Sequence, residues 1–371
     1  MSTLPHLDRQ RLQDALALAE SSFGLTEPNP RVGCVIGTDD GRVFGCGATQ
    51  RAGGPHAEVV ALRETAQAGH DIRGATAWVT LEPCAHHGRT PPCCDALIAA
   101  GLARVVVALA DPFPQVNGAG IARLRAAGIQ VDMADAELAA AAHAINVGFF
   151  SRVQRGRPWV RLKVAASLDG ATALANGASQ WITGVDARRD GHAWRRRASA
   201  VLTGIGTALA DDPRLDVRLV PTPAQPLRVV LDSHFRLPTT SRLLASPGQT
   251  LVCGLADSDA ARALFECGAQ ILLAPATQGR IDLPSLMQTL AARGVNELHV
   301  EAGATLNGAL LQAGLVDELL LYLAPTMLGP GRPMAALGAL DSLAQGLPLQ
   351  WLDAVPMGAD MRLRARTLPR P

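Results

Sequence analysis

At 371 residues the chain is about twice the usual single-domain length, so two domains are expected. Apolar residues make up 48%, enough for two buried cores, while 36 glycines and 25 prolines imply many short connections. A net charge of +1 argues against a polyanion binder, and seven dispersed cysteines argue against a disulfide framework. Asp8, Arg9, Arg11 and Asp14 interrupt any apolar leader, and no apolar window reaches membrane-spanning length. A cytoplasmic protein acting on small molecules is expected, with neither nucleic acid nor membrane as partner.

Apolar positions at Leu12, Ala15, Leu16 and Ala19 predict a helix over 7–22. Pro28-Asn29-Pro30 is a rigid loop, in which Asn29 reads on its own as a turn residue. Two strands, 32–36 and 43–47, then flank a turn at 38–41. A helix opens at His56 and runs to 64, and a strand over 75–81 delivers Glu82-Pro83-Cys84. Cys93 begins a helix to 100, followed by a strand at 104–109 and helices at 121–127 and 137–145. This alternation predicts a parallel-type sheet with helices on its faces and ligands outside the carboxyl ends of its strands.

His56, Cys84 and Cys93 form a three-ligand zinc set, which leaves a fourth tetrahedral position for water and lowers that water's pKa. Glu58, two residues from His56, lies near the metal without having to bind it and can shuttle protons. His-x-Glu followed by Pro-Cys and a second Cys is the signature of zinc nucleobase deaminases. Eight residues, not two, separate Cys84 from Cys93. Cys94, His86 and His87 are competing donors. Cys94 reads as a small buried helix residue, and His87 as exposed.

The polar, Gly- and Pro-broken run at 152–158 reads as a linker, giving domains of 1–151 and 158–371. The second half opens with a strand from 159 that ends in the Asp169-Gly170 turn. A strand at 200–203 runs into Gly204-Ile205-Gly206-Thr207 and a short helix, but Leu209 stands where a dinucleotide motif needs its third glycine. A strand at 227–231 ends in Asp232-Ser233. A second strand–glycine–helix unit follows at 298–306, and its helix start suits a cofactor pyrophosphate. Arg188, Arg189, Arg196 and Arg197 read as a solvated basic helix face. The chain has 33 arginines and one lysine, Lys163, whose compact ammonium differs physically from an arginine fork.

Three stretches carry a family resemblance: Thr-Leu-Glu-Pro-Cys-x-His-x-Gly-Arg-Thr-Pro-Pro-Cys over 80–93, Leu-Lys-x-Ala-x-Ser-Leu-Asp-Gly over 162–170, and Ser-Gln-Trp-Ile-Thr over 179–183. They resemble the bifunctional riboflavin-biosynthesis deaminase–reductases. The resemblance implies an α/β chain, with a cytidine deaminase-like three-layer domain followed by a dihydrofolate reductase-like α/β domain. It implies zinc-dependent deamination of a phosphoribosylated diaminopyrimidinone, then NADPH-dependent reduction of the aminouracil product's ribosyl chain to ribityl. By residue match, Asn29, His86, Ser179, Arg195, Leu215, Arg218 and Glu301 contact substrate, while Arg89 reads equally as a residue that orients it or as a solvated loop arginine. Ala165, Trp181, Thr207, Asp211, Ser233 and the run Gly303, Ala304, Thr305, Leu306, Asn307 and Gly308 contact NADPH. Glu58 and Lys163 are the catalytic candidates, and a homo-oligomer, dimer or tetramer, is expected. The rivals are a tRNA adenosine deaminase with an unrelated tail, which would want Cys-x-x-Cys and a basic surface, and a purely structural zinc site.

Overall fold

A computed structural model describes residues 4–85, 91–113 and 117–369. The chain divides into two compact units, the first ending at Gly156 and the second beginning at Arg157.

In the first unit five strands lie in the order Val43–Ala48, Gly33–Gly37, Thr76–Val79, Arg104–Val107, Gln130–Met133. The last three are mutually parallel, but Gly33–Gly37 runs antiparallel to both its neighbours. The sheet is therefore mixed, not wholly parallel. Hydrophobic alternation assigns faces and is silent about strand direction. Cys34, Ile36, Ala77, Val79, Val105 and Val107 bury one face beneath the helices Ala57–Gln67, Cys93–Ala99 and Ala119–Ala126. Val35, Trp78 and Val106 bury the other beneath His6–Ser21 and Ala136–Ile145, which completes three layers. The helices press close: a Cβ on Gly33 would sit 1.9 Å from the Ala15 carbonyl, and one on Gly47 would sit 2.1 Å from that of Ala57.

The expected linker is mostly helix. Val147–Arg155 is helical and buries Phe149 and Phe150, so the charged residues read as linker are its polar side. Gly156, at φ 65°, ends it in the left-handed conformation that glycine accepts without strain. Arg157 is then fixed to the second unit by two hydrogen bonds to Asp317, at 2.7 and 3.0 Å.

Apart from two short two-stranded ribbons, the second unit holds one sheet of nine strands. In order they are Gln270–Leu273, Thr250–Gly254, Leu227–Leu231, Ala200–Gly204, Glu297–Val300, Trp159–Ser167, Glu318–Ala324, Asp360–Thr367 and Leu349–Met357. The first seven are parallel, Asp360–Thr367 runs antiparallel to them, and Leu349–Met357 runs antiparallel to Asp360–Thr367. One face is apolar: Val160, Leu162, Val164, Leu202, Leu298 and Val300 pack against Leu286, Leu290 and Leu310 of the helices Leu283–Ala292 and Ala304–Gln312.

The opposite face of the central strands is charged. Buried Arg161 pairs with Glu297 at 2.9 Å and Glu318 at 3.1 Å. Arg197, from the helix Val185–Arg197, reaches Glu297 at 2.8 Å, and Arg364 reaches Glu318 at 2.7 Å. The Trp194 ring lies between guanidinium groups, with Arg161 at 4.4 Å and Arg364 at 4.9 Å. The arginines of this helix, read as a solvated face, are thus divided: Arg189 is exposed, while Arg197 closes an ionic layer. No helix among the described residues is long and apolar enough to cross a membrane.

Candidate active sites

His56 is the N-cap of Ala57–Gln67 in extended conformation, so its ring stands at the helix start and Glu58 falls in the first turn, buried. The chain leaving Thr76–Val79 brings in Cys84, and Cys93 opens its own helix. His56 Nδ1 lies 3.1 Å from Cys93 Sγ and 3.7 Å from Cys84 Sγ, and all three donor atoms fall within 4.8 Å of one another. Tetrahedral zinc with one nitrogen and two sulfurs needs separations of about 3.5–3.8 Å, so the set fits. Among the described residues it is the group of three that could hold a metal. Cys94 is outside it, its thiol directed to Asp95 at 3.8 Å.

The Cys93 backbone N–H donates to Cys84 Sγ at 3.3 Å. Hydrogen bonding to Cys93, with His56 also contributing, pulls the Cys84 thiol down to about 4, while the same contact and burial push Cys93 up. Burial, reinforced by the Cys84 charge, raises Glu58 to about 7.

His56, Glu58 and Cys84 open into a cavity of 350 Å³ that Asn29, Glu82, Asp111, Phe149 and Arg152 also line. Asn29 is held by its backbone N–H donating to Thr26 at 2.9 Å. His86 and Arg89 lie outside the described residues. Glu82 was read only as part of a motif, yet it organises the wall. Its carboxylate accepts the N–H groups of Asp111, Gly118, Gly120 and Ile121 at 3.0–3.2 Å, fixing the loop and the start of Ala119–Ala126. Asp111 is raised to about 6, chiefly by burial and then by Glu82. Its sequence signal, an acidic residue just past a strand, was present but common. Arg152 was hidden in the supposed linker.

The second unit has two openings. The first, 350 Å³, is lined by Lys163, Trp181, Arg188, His192, Arg195, Arg218, Glu301 and Tyr322 among others. Arg195 pairs with both oxygens of Glu301, and Lys163 Nζ lies 3.5 Å from Glu301 Oε2. Burial would raise Glu301, but Arg195 and Lys163 overcome it and hold the carboxyl well below its usual range. Lys163 also stands 5.9 Å from the ring centre of Tyr322, whose hydroxyl donates to Asp190 at 2.6 Å. Sequence reasoning passed over His192 and Tyr322. His192 lies three residues before Arg195 on one helix face, and Tyr322 is the chain's single tyrosine.

The second opening, 560 Å³, lies between the glycine turns and is lined by Ser179, Gly204, Thr207, Asp211, Gly303, Ala304, Thr305, Leu306 and Arg332. Gly303 caps the helix Ala304–Gln312. Trp181 lies in the opening with Lys163, and Ser179 in the opening with the glycine turns. Ala165 packs against the buried cluster of Ala187, Leu320 and Tyr322. Asn307 and Gly308 are turned away from the cleft. The Asn307 amide donates to the Met334 carbonyl at 2.8 Å, and a Cβ on Gly308 would meet the Ala336 carbonyl at 2.2 Å. Leu215 is core, packed in the cluster of Val230, Phe235 and Leu237. Ser233 lines neither opening, and its carbonyl accepts the Leu255 N–H at 3.2 Å.

Residues 158–362 match the family model described as the RibD C-terminal domain, and residues 5–109 match that of the cytidine and deoxycytidylate deaminase zinc-binding region. The riboflavin biosynthesis protein RibD of Escherichia coli is 46% identical, over 96% of this chain and 98% of its own length. That of Aquifex aeolicus is 38% identical, over 96% and 97%. Among solved structures, Acinetobacter baumannii RibD has 43% identity and a TM-score of 0.88, covering 98% of this chain and 99% of its own. The diaminohydroxyphosphoribosylaminopyrimidine deaminase/5-amino-6-(5-phosphoribosylamino)uracil reductase of Thermotoga maritima has 31% identity and a TM-score of 0.88 at the same coverage.

Proposed function

The chain belongs to the family of bifunctional riboflavin-biosynthesis deaminase–reductases, and from that premise we propose how its residues divide the two reactions. It deaminates 2,5-diamino-6-(5-phosphoribosylamino)pyrimidin-4(3H)-one and reduces the ribosyl chain of 5-amino-6-(5-phosphoribosylamino)uracil to ribityl. The likeness extends over both units, so a tRNA adenosine deaminase with an unrelated tail is not favoured.

Deamination is assigned to the first unit, with one Zn²⁺ held by His56, Cys84 and Cys93. When bound, the metal supplies Lewis acidity that makes water nucleophilic near neutral pH. The Glu58 carboxylate takes a proton from that water and returns it to the departing ammonia. The observation that carries this assignment is a buried carboxylate, raised to about 7, beside a three-donor group with room for a fourth partner. Asn29 orients the pyrimidine.

Reduction is assigned to the second unit. The cleft between the glycine turns would hold NADPH, with the N–H groups of Gly303–Leu306 available to its pyrophosphate, and the bound cofactor would supply the hydride that reduces C1′. Substrate lies in the adjoining cavity, where Lys163 donates to the C1′ oxygen and Glu301, positioned by Arg195, holds sugar hydroxyls. Arg218 faces the phosphate. Trp181 then borders substrate and Ser179 borders cofactor.

Two further readings accompany these. The outermost strand, Leu349–Met357, exposes Leu349, Trp351 and Leu352, which supports a homo-oligomer, dimer or tetramer, readable by light scattering. Seven free cysteines suit a reducing cytoplasm.

Expressing 1–156 and 157–371 separately tests the division. The first fragment should release ammonia from the diaminopyrimidinone, and the second should oxidise NADPH with the aminouracil. Failure of either fragment to unfold cooperatively would defeat the boundary, and activities on the wrong fragments would defeat the assignment.

A further inference from the structure

His192 lies on the helix Val185–Arg197 and is buried, yet it borders the cavity that holds Lys163 and Glu301. Its Nδ1 accepts the backbone N–H of Arg218 at 3.1 Å. A backbone N–H is always a donor, so Nδ1 carries no proton, and the ring proton of neutral imidazole must sit on Nε2. Burial, with Arg195 and Arg218 nearby, pushes the ring down to about 4, in keeping with that neutral form.

The fixed tautomer has a consequence at the other nitrogen. Nε2 lies 3.5 Å from Arg195 Nη1, and both atoms are donors. They cannot bond each other. Arg195 cannot give up its proton, and turning the ring would place a C–H against the Arg218 N–H. Arg195 Nη1 donates one N–H to the Asp216 carbonyl at 3.0 Å, and its second N–H together with the His192 Nε2–H makes half of an oxygen-binding site. The surrounding charge sets the sign: Lys163, Arg188, Arg195 and Arg218 line the cavity, against Glu301 as the one carboxylate among its lining residues.

We propose that His192 is a substrate-binding residue of the reductase, its Nε2–H donating to a phosphate oxygen of the aminouracil substrate that lies between His192 and Arg195. This rests on the assignment of the cavity to that substrate. A neutral donor adds a directed bond without a further positive charge, so it selects for the position of the phosphate where the arginines select for its charge. The same side chain holds the backbone at Arg218 through Nδ1, linking the two phosphate-facing elements.

The test separates the ring's two nitrogens. In His192→Asn the side-chain carbonyl can still accept the Arg218 N–H, but nothing reaches the Nε2 position. In His192→Gln the amide N–H does reach it. With the full chain and NADPH, His192→Asn should raise the reductase KM for the phosphorylated aminouracil about tenfold, the loss of a hydrogen bond to a charged group, with kcat little changed. His192→Gln should stay within about threefold of wild type. On the dephosphorylated ribosylaminouracil, wild type and His192→Asn should be equal. NADPH binding in the neighbouring cleft reports that each variant's second unit is folded. A wild-type KM in His192→Asn would overturn the proposal, as would a Gln variant no better than His192→Phe or an equal penalty on both substrates. Wild-type protein that oxidises no NADPH with either substrate would instead defeat the cavity assignment itself.

Discussion

The two sites handle buried charge in opposite ways. In the first unit Glu58 and Asp111 are buried with no cationic side chain bonded to either among the described residues, and burial drives them to about 7 and about 6. In the second unit Glu318 is buried and Glu301 partly so, but arginine and lysine partners hold them ionised, Glu318 at about 2. An uncompensated carboxylate exchanges its proton near neutral pH and suits proton transfer. A compensated one keeps its charge and can only attract, orient or brace. Hydrolysis needs the first kind. Hydride transfer from a cofactor needs the second.

The largest expected effect comes from removing the uncompensated acid. Glu58→Ala should lower deamination by about a thousandfold, within the usual range for a general acid–base, while zinc content and reduction are unchanged. Substantial ammonia release by that variant would dissolve the contrast.

Next is the braced side. Arg161→Met would leave Glu297 and Glu318 buried with one partner fewer each, costing the second unit about 3 kcal/mol in chemical denaturation. The first unit should unfold as before. A second unit of wild-type stability would show that Arg197 and Arg364 suffice for those carboxylates.

Lys163→Arg keeps the charge and changes the shape. Reduction should fall about tenfold, or roughly 1.4 kcal/mol of transition-state stabilisation, with deamination untouched. Reductase rates near wild type would mean that only the sign of the charge matters.

The smallest effect is a pH slope. Folded Asp111 binds its proton between about 6 and the ordinary 3.8, whereas the unfolded chain does not, so the first unit should gain stability as pH falls through that window. Glu318 acts oppositely. Its stabilisation is present above 4.5 and is lost as pH falls towards about 2. Thermal melts from pH 6 to 4 should show the first slope, to which Glu58 adds with the same sign above 4.5, and Asp111→Asn should reduce it.

Legibility followed the same divide. His56, Glu58, Cys84 and Cys93 were readable because few residue types bind zinc, and their spacing on a helix start and a strand end is restrictive. Lys163 stood out against an arginine-rich chain. The charged layer was not readable. Arg161, Glu297 and Glu318 sit in strands whose apolar neighbours mark one face, and sequence alone does not show that the other face is also covered. Asn307 and Gly308 sat in a glycine-turn motif and so looked like cofactor contacts, although segment 334–336 claims them. The helix Val147–Arg155 was missed because its exposed side carries the polar residues of a linker. The turn at 38–41 already signalled the hairpin of Gly33–Gly37 with Val43–Ala48, whereas the antiparallel pairing of Gly33–Gly37 with Thr76–Val79 depends on a partner that no local pattern names.

The ionic layer also acts as an index. An apolar interface tolerates sliding, because one methyl contact replaces another at little cost. Arg197 and Trp194 admit no such substitution. A slip of one turn would carry Arg197 about 5.4 Å from Glu297 and take Trp194 from between its guanidinium neighbours. The helix Val185–Arg197 therefore has one seat on the sheet, and His192 and Arg195 inherit their coordinates from it. Positional accuracy at the proposed phosphate site is set by charges that lie outside it.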